Sequence, residues 1–391
     1  MPRSDTPPAP LGPLTEFELR RIRLDLVTPF RTSFGSQTER DILLVRARFD
    51  DGDRIVDGWG ECVCMSEPLY SSEYVDGAQQ VIERYLAPLL FAAATPTTST
   101  SGPSAASVGP LIGAIRGHPM AKAAVEMAIL DAQLRWSQTN YASYLGVDRD
   151  RVPSGVSVGI FDTLDTLLAE VSAYVEQGYR RIKLKIEPGW DLEPVAAVRD
   201  LIGPDLPLQV DANSAYSRLD IDHLCRLDEF DLLLIEQPLA EEDLLGHARL
   251  AEASTTPVCL DESIISLTTA GDAIETGAAE IINIKPGRVG GYLEARRIHD
   301  LATAHEVPVW CGGMLETGIG RAANCALAAL DGFTLPGDIS AASRFYARDI
   351  VTDPIVLDDG HVAVPEQLGL GFELDHEFLD AITTSTETLR R

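Results

Sequence analysis

Basic residues are scarce in this 391-residue chain: 32 lysines and arginines stand against 60 aspartates and glutamates, a formal net charge of −28. Such a field repels a polyanionic partner, which excludes nucleic-acid binding as its main activity. Six cysteines (Cys62, Cys64, Cys225, Cys259, Cys311, Cys325) lie scattered, with no CxxC pair and no disulfide spacing, the pattern of buried thiols in a reducing compartment. No run of about 18 apolar residues occurs, and the opening MPRSDTPPAPLGP has prolines but no apolar core of a signal peptide. A cytoplasmic protein without a membrane partner is expected. No Gly-rich phosphate loop follows a strand-like run.

The rest is ordinary globular composition, 45% hydrophobic and 24% charged, enough for one large domain or two smaller ones. Residues 1–15 read as a disordered leader. Over 16–150, ELRRIRLDLV and ILLVRARFD alternate like strands, GWGECVCM is a further strand-like piece, and HPMAKAAVEMAILDAQLRW is helical, so an α+β domain is predicted. Within it residues 92–109, AAATPTTSTSGPSAASVG, are too poor in large apolar side chains to order themselves and read as a surface insertion.

From 151 to 345 short apolar runs alternate with helical stretches: GVSVGI, RIKLKI, LPLQVDAN, FDLLLIEQP, PVCLDES, AEIINIKP and VPVWCGG, with a weaker eighth around TLPGDIS (334–340). The polar ends Lys185, Asp211, Glu236, Asp261 and Lys285 fall 26, 25, 25 and 24 residues apart, the length of a βα unit. Eight such units predict a (β/α)8 barrel of the TIM type, with doubly apolar parallel strands. A doubly wound open sheet is the competing arrangement and would want the missing phosphate loop. Residues 346–391 are expected to pack back on the N-terminal domain.

In a parallel barrel all the C-terminal strand ends open on one face. Asp211, Glu236 and Asp261 each stand where an apolar run stops, on three successive strands. Three acids brought together repel one another unless a cation holds them, and hard oxygen ligands favour Mg2+, with Mn2+ as a substitute. Taken singly, each could equally be a solvated loop acid or a helix cap. Lys183 and Lys185, two apart on one strand, point to the same side, the barrel interior. Lys285 falls on strand six, across the barrel. Burial and neighbouring cations such as Arg288 are expected to lower a lysine pKa and leave free amine to act as a base; the alternative is that the lysines only balance the acids. Asn213 and Glu262 are candidates for orienting the ligands or Lys185. A metal with an amine on each side suits removal of a proton next to a carboxylate, giving an enediolate. The partner is then a small-molecule carboxylate.

These segments, KLK, VDAN, IEQP, LDES, IKPGRVGG and GGMLETGIGRA, resemble the enolase superfamily, and within it the branch of o-succinylbenzoate synthases and N-acylamino-acid racemases. The resemblance runs from about Glu18 to about Pro365. It implies an enolase-like modified TIM barrel under an N-terminal α+β capping domain, with Asp211, Glu236 and Asp261 binding Mg2+ and Lys185 and Lys285 as the acid/base pair. TPFRTSFG and ECVCMSEPLY match the lid loops, so Phe30 and Met65 would be apolar lid contacts, although core packing explains them equally. Ser157, Gly313, Met314 and Ile319 would line the substrate pocket. The implied reaction is either a syn-dehydration serving menaquinone synthesis or N-succinyl and N-acyl amino-acid racemisation. A dedicated racemase, or a muconate-lactonising-like lyase, is the alternative. A homo-oligomer is expected.

Two other classes compete. Gly155-Val156-Ser157-Val158-Gly159 fits the GxSxG elbow of hydrolases, but Ser157 sits inside an alternating run without the required strand-to-helix turn. A non-catalytic barrel would tolerate loss of one of the five charged residues, and all five are present.

Overall fold

The structure, a computed structural model, describes residues 11–93 and 102–391. In the N-terminal domain β1 (Leu14–Thr32), β2 (Gly35–Asp50) and β3 (Ile55–Cys62) form an antiparallel sheet. Strand alternation sends Phe17, Leu19, Leu43 and Val45 into a core of this domain's own. The opposite parity, Ile22, Leu24, Ile42 and Leu44, joins the large core that extends through the barrel domain. One sheet therefore serves two cores, which anchors the capping domain on the barrel.

Helix α1 (Ala105–Ile112) and the long α2 (Pro119–Trp136) cover the sheet, and α2 is buried on nearly every side. Helix α1 corrects the expectation for 92–109. Ala105, Val108 and Ile112 recur at helical spacing and are buried, Ser104 forms a capping box with Ser107, and the Ala105 N–H donates to Gln133. Bulk composition concealed a short amphipathic pattern; residues 94–101 lie outside the described part. The leader ends earlier than expected as well, because Leu11 and Leu14 are buried and β1 starts at Leu14. Residues 1–10 of the leader lie outside the described part.

The second domain is the barrel. Seven parallel strands, β4 (Gly155–Val158), β5 (Arg181–Lys185), β6 (Leu208–Asp211), β7 (Ile235–Glu236), β8 (Val258–Leu260), β9 (Ile281–Ile284) and β10 (Val309–Cys311), neighbour one another in chain order. Their outer helices are α3 (Leu164–Glu176), α4 (Leu192–Ile202), α5 (Leu244–Ala253), α6 (Leu267–Glu275), α7 (Tyr292–Ala304) and α8 (Gly318–Ala328). The eighth unit around 334–340 is not a strand. Pro336 and Gly337 interrupt the ladder there, and the ring closes through single bonds, Gly155 N–H to Gly337 O at 2.8 Å and Asp338 N–H to Cys311 O at 2.9 Å.

After the barrel the chain returns to the capping domain. β11 (Thr383–Arg390) pairs antiparallel with β1, giving the order β11-β1-β2-β3. On the way, the buried Asp131 of α2 accepts from Leu370 N–H at 2.8 Å and Trp59 N–H at 3.0 Å. Among the described residues no helix is long and apolar enough to cross a membrane.

Gly58 and Gly60 of β3 let α2 lie directly on the strand: a Cβ on Gly60 would stand 2.1 Å from Ala124 O, and one on Gly58 2.2 Å from Ala128 O. Backbone cannot yield as a side-chain tip can. Gly60→Ala is therefore expected to lower stability by about 1–3 kcal/mol, measured by urea unfolding; unchanged stability would show that α2 can shift freely.

Candidate active site

The strands place the charged side chains by register. Lys185 of β5 pairs with Asp211 of β6, and Asp211 with Glu236 of β7, so three ionisable residues stand in line on neighbouring strands. Asp261 and Lys285 follow directly on β8 and β9. The backbone turns sharply beyond two of these ends, with positive φ at Asn213 (43°), Ser214 (64°) and Gln237 (38°). Non-glycine residues adopt that conformation at a cost, and it marks a site where side-chain direction is held by its surroundings.

All five charged groups come together, and each acid meets an ammonium. Lys185 Nζ donates to Asp211 Oδ2 at 2.6 Å and to Asn213 Oδ1 at 2.7 Å. Asn213 in turn donates to Glu262 Oε1 at 2.8 Å, so both residues orient Lys185. Lys285 Nζ donates to Asp261 Oδ2 at 2.6 Å. Lys183 lies deepest, 3.0 Å from Glu236 Oε2, 3.3 Å from Asp211 Oδ2 and 2.5 Å from Asp338 Oδ2. Asn283 Nδ2 donates to Glu236 Oε1 at 2.7 Å.

For Lys285 and Lys183 these pairings overturn the expected direction of the lysine pKa. Burial does work to lower Lys285, but Asp261, Tyr70 and Glu262 hold it well above its ordinary value, and Lys183 is raised in the same way by Asp338, Glu236 and Asp211. Cations are not the dominant neighbours of these amines; carboxylates are. Among the acids, burial pushes Glu236 up to about 8, reinforced by Asp211, and Glu262 up to about 7, reinforced by Asp261. Asp211 goes the other way: against the effect of burial, Lys185 and Lys183 keep it below the usual carboxylate range.

The acids fit a hard divalent cation by their chemistry. They are oxygen donors only, and the buried Asp261 Oδ1 and Glu262 Oε2 accept no hydrogen bond from the protein. Among the described residues no three ligating side chains are gathered at coordinating distance; the carboxylates are paired with lysines instead, and Lys183 bridges Asp211 and Glu236.

The lysines open into a cavity walled by both domains. Phe30, Phe34 and Met65 come from the capping domain; Ser157, Gly313, Met314 and Phe345 come from the barrel side. Phe30 meets Phe345 edge-on at 6.1 Å, and Met65 Sδ accepts from Gln37 Nε2 at 3.5 Å. Ser157 Oγ has no protein partner and no histidine lines this cavity among the described residues, which leaves the hydrolase motif without its base.

Ile319 does not line the cavity. It is fully buried at the start of α8, and Leu315, held at φ +58°, takes the place on the wall. The loop before α8 turns back on itself, a path no residue spacing discloses. Sequence reasoning also missed Tyr70 and Asp338. The Tyr70 hydroxyl donates to Asp261 Oδ2 at 3.2 Å and accepts from Lys285 and from Arg288 Nη1, each at 3.1 Å. Arg288 thus acts on Lys285 through Tyr70, while its Nη2 binds Glu262 O. No periodic signal marks Tyr70. Asp338 could have been found, because it ends the weak eighth run as Asp211 and Glu236 end theirs.

Replacing Lys183 by Met leaves Asp211, Glu236 and Asp338 crowded without their shared ammonium. The expected loss is about 3–5 kcal/mol in metal-free protein, read by urea unfolding. Adding Asp338→Asn is expected to restore part of it; independent, additive effects would contradict the shared ion cluster.

A capped α/β barrel with acids and lysines facing one another across its mouth defines a class of enzymes that move protons next to carboxylates. Comparison with known proteins agrees. The profile described as "Enolase C-terminal domain-like" matches residues 166–378, and that of the mandelate racemase / muconate lactonizing enzyme N-terminal domain matches 16–146. An N-succinylamino acid racemase of Amycolatopsis sp is 59% identical over 372 residues, covering 95% of this chain and 98% of the relative. An o-succinylbenzoate synthase of Geobacillus kaustophilus is 44% identical over 373 residues, covering 95% and 96%. A solved enolase-superfamily member from Listeria innocua superposes with a TM-score of 0.89 at 40% identity, covering 96% of this chain and 99% of that one. The chain belongs to the enolase superfamily and is an enzyme.

Proposed function

We propose that this enzyme removes and returns the proton on the carbon next to the carboxylate of an N-acyl amino acid, an N-succinyl amino acid first of all, and so racemises it. The observation that carries the reading is the placement of Lys185 and Lys285. They end β5 and follow β9, four strands apart in a ring of eight segments, and both line the same cavity. A substrate lying between them meets an amine on either face. One lysine, neutral, takes the proton; the other, charged, delivers a proton to the opposite face, and the roles exchange for the other enantiomer. Asn213 aims Lys185, and the Tyr70 hydroxyl aims Lys285. Phe30, Phe34, Phe345 and Met65 exclude water from the reacting carbon. A divalent cation held by Asp211, Glu236 and Asp261, Mg2+ in the superfamily generally, would neutralise the charge that gathers on the substrate carboxylate as the proton leaves. The similarity to the racemase at 59% identity supports this reading.

A second reading, dehydration to o-succinylbenzoate, is supported by the 44% identical synthase. It needs one basic lysine, with the other supplying positive charge, and a substrate that also carries a succinyl arm suits the same cavity.

Lys185→Ala and Lys285→Ala are each expected to cut racemisation at least 100-fold, given the roughly 10²–10⁴ supplied by a general acid or base. In D2O each variant should lose α-deuterium exchange on one enantiomer and not the other. Racemisation surviving above about one-hundredth in either variant overturns the two-base scheme. Exhaustive chelation is expected to abolish activity and Mg2+ or Mn2+ to restore it. Added Mg2+ should also raise the Tm of the wild type, an increase that Glu236→Gln loses; full activity after chelation sinks the metal role.

A further inference from the structure

Two glutamates of the capping domain have carboxylates whose hydrogen-bond partners all lie in the barrel. Glu61, at the end of β3, is 3% exposed and accepts from Thr317 N–H at 3.0 Å, Thr317 Oγ1 at 2.7 Å and Gly320 N–H at 3.2 Å. Glu126, on α2, is 5% exposed and accepts from Tyr292 N–H at 3.0 Å and Leu293 N–H at 3.1 Å. Apart from the Thr317 hydroxyl, these donors are the free amides at the N-termini of α8 and α7, the groups a helix cannot satisfy by itself and the end that favours negative charge. Burial pushes both carboxyls up to about 7, Glu61 also through Glu316. The docking thus carries an electrostatic cost that a purely apolar interface would avoid.

The two helices follow the two connecting segments that build the site, the second of them containing a helical turn at Pro286–Val289. Gly313–Glu316, which walls the cavity, runs into α8, and the loop is bent back on Glu316, whose carboxylate accepts from Met314 N–H at 2.9 Å. Lys285–Gly291, carrying Lys285 and Arg288, runs into α7, and a Cβ on Gly291 would stand 2.5 Å from Glu126 Oε2. Thr317 directly follows the cavity residue Glu316, and Tyr292 directly follows the Lys285–Gly291 segment.

We propose that Glu61 and Glu126 are positioning residues through which the capping domain sets the active site: Glu61 fixes the Gly313–Glu316 wall that holds the substrate, and Glu126 fixes the loop that aims Lys285. The kinetic part rests on the function proposed above; the structural part does not.

The test compares Glu61→Gln and Glu126→Gln in the full-length enzyme by amide hydrogen exchange and by steady-state kinetics on an N-succinyl amino acid with Mg2+. Glu61→Gln is expected to speed exchange about tenfold over residues 313–320 and to raise KM about tenfold, with kcat within about threefold. Glu126→Gln is expected to loosen residues 286–293 and to lower kcat about tenfold with KM kept. Should both variants lose stability yet keep wild-type kcat and KM, or should exchange rise evenly across the domain interface, the glutamates serve docking alone and the proposal fails. A wild type inactive on N-succinyl amino acids, with loosening still confined to those two loops, sinks the substrate reading and retains the structural clamp.

Discussion

The balance of charge at the ends of β5 to β9 is the constraint on which everything else rests. Asp211, Glu236 and Asp261 are almost completely out of water, and two like charges 4 Å apart repel by about 4 kcal/mol even at an effective dielectric of 20. Lys183, Lys185 and Lys285 answer that repulsion at 2.6 to 3.3 Å. Because the lysines are committed to acids, their availability as bases depends on what else neutralises those acids. A divalent cation among the carboxylates is the natural competitor for that task, which couples metal affinity to lysine chemistry.

Around this cluster the molecule is built from two domains that share one sheet face. The odd and even residues of β1 and β2 serve different cores, so the capping domain cannot lift off without exposing Ile22, Leu24, Ile42 and Leu44. What it contributes to the mouth is uncharged and largely aromatic, Phe30, Phe34, Met65 and Tyr70 beside Thr32 and Gln37, whereas the barrel contributes the charge together with Met314, Leu315 and Phe345. The charged groups of the mouth all belong to the barrel, and Tyr70 is the point where the capping domain meets them, bonded to Asp261, Lys285 and Arg288 at once.

Much of this was legible in the chain, and for a definite reason. A parallel barrel repeats with the length of one strand, one helix and two loops, so polar residues closing apolar runs at that interval must share one mouth; Lys185, Asp211, Glu236, Asp261 and Lys285 were readable in this way. The signal weakened where the repeat did. Asp338 closes a run broken by Pro336 and Gly337, and α1 hides in a stretch dominated by Ser and Thr. Leu315 rather than Ile319 faces the cavity, on a backbone at positive φ that periodicity does not encode.

The sequence by itself determined the class of fold and the identity and order of the charged groups, since both follow from local periodicity and covalent spacing. Only the tertiary structure decided which of those groups touch, and therefore their charge. Tyr70 reaches Asp261 and Lys285 across 191 and 215 residues of chain, and Glu61 reaches Thr317 across 256. Such encounters are set by how two domains pack, and the pKa of Lys285 is set by the encounter: isolated burial would lower it, but the acids that packing brings beside it raise it.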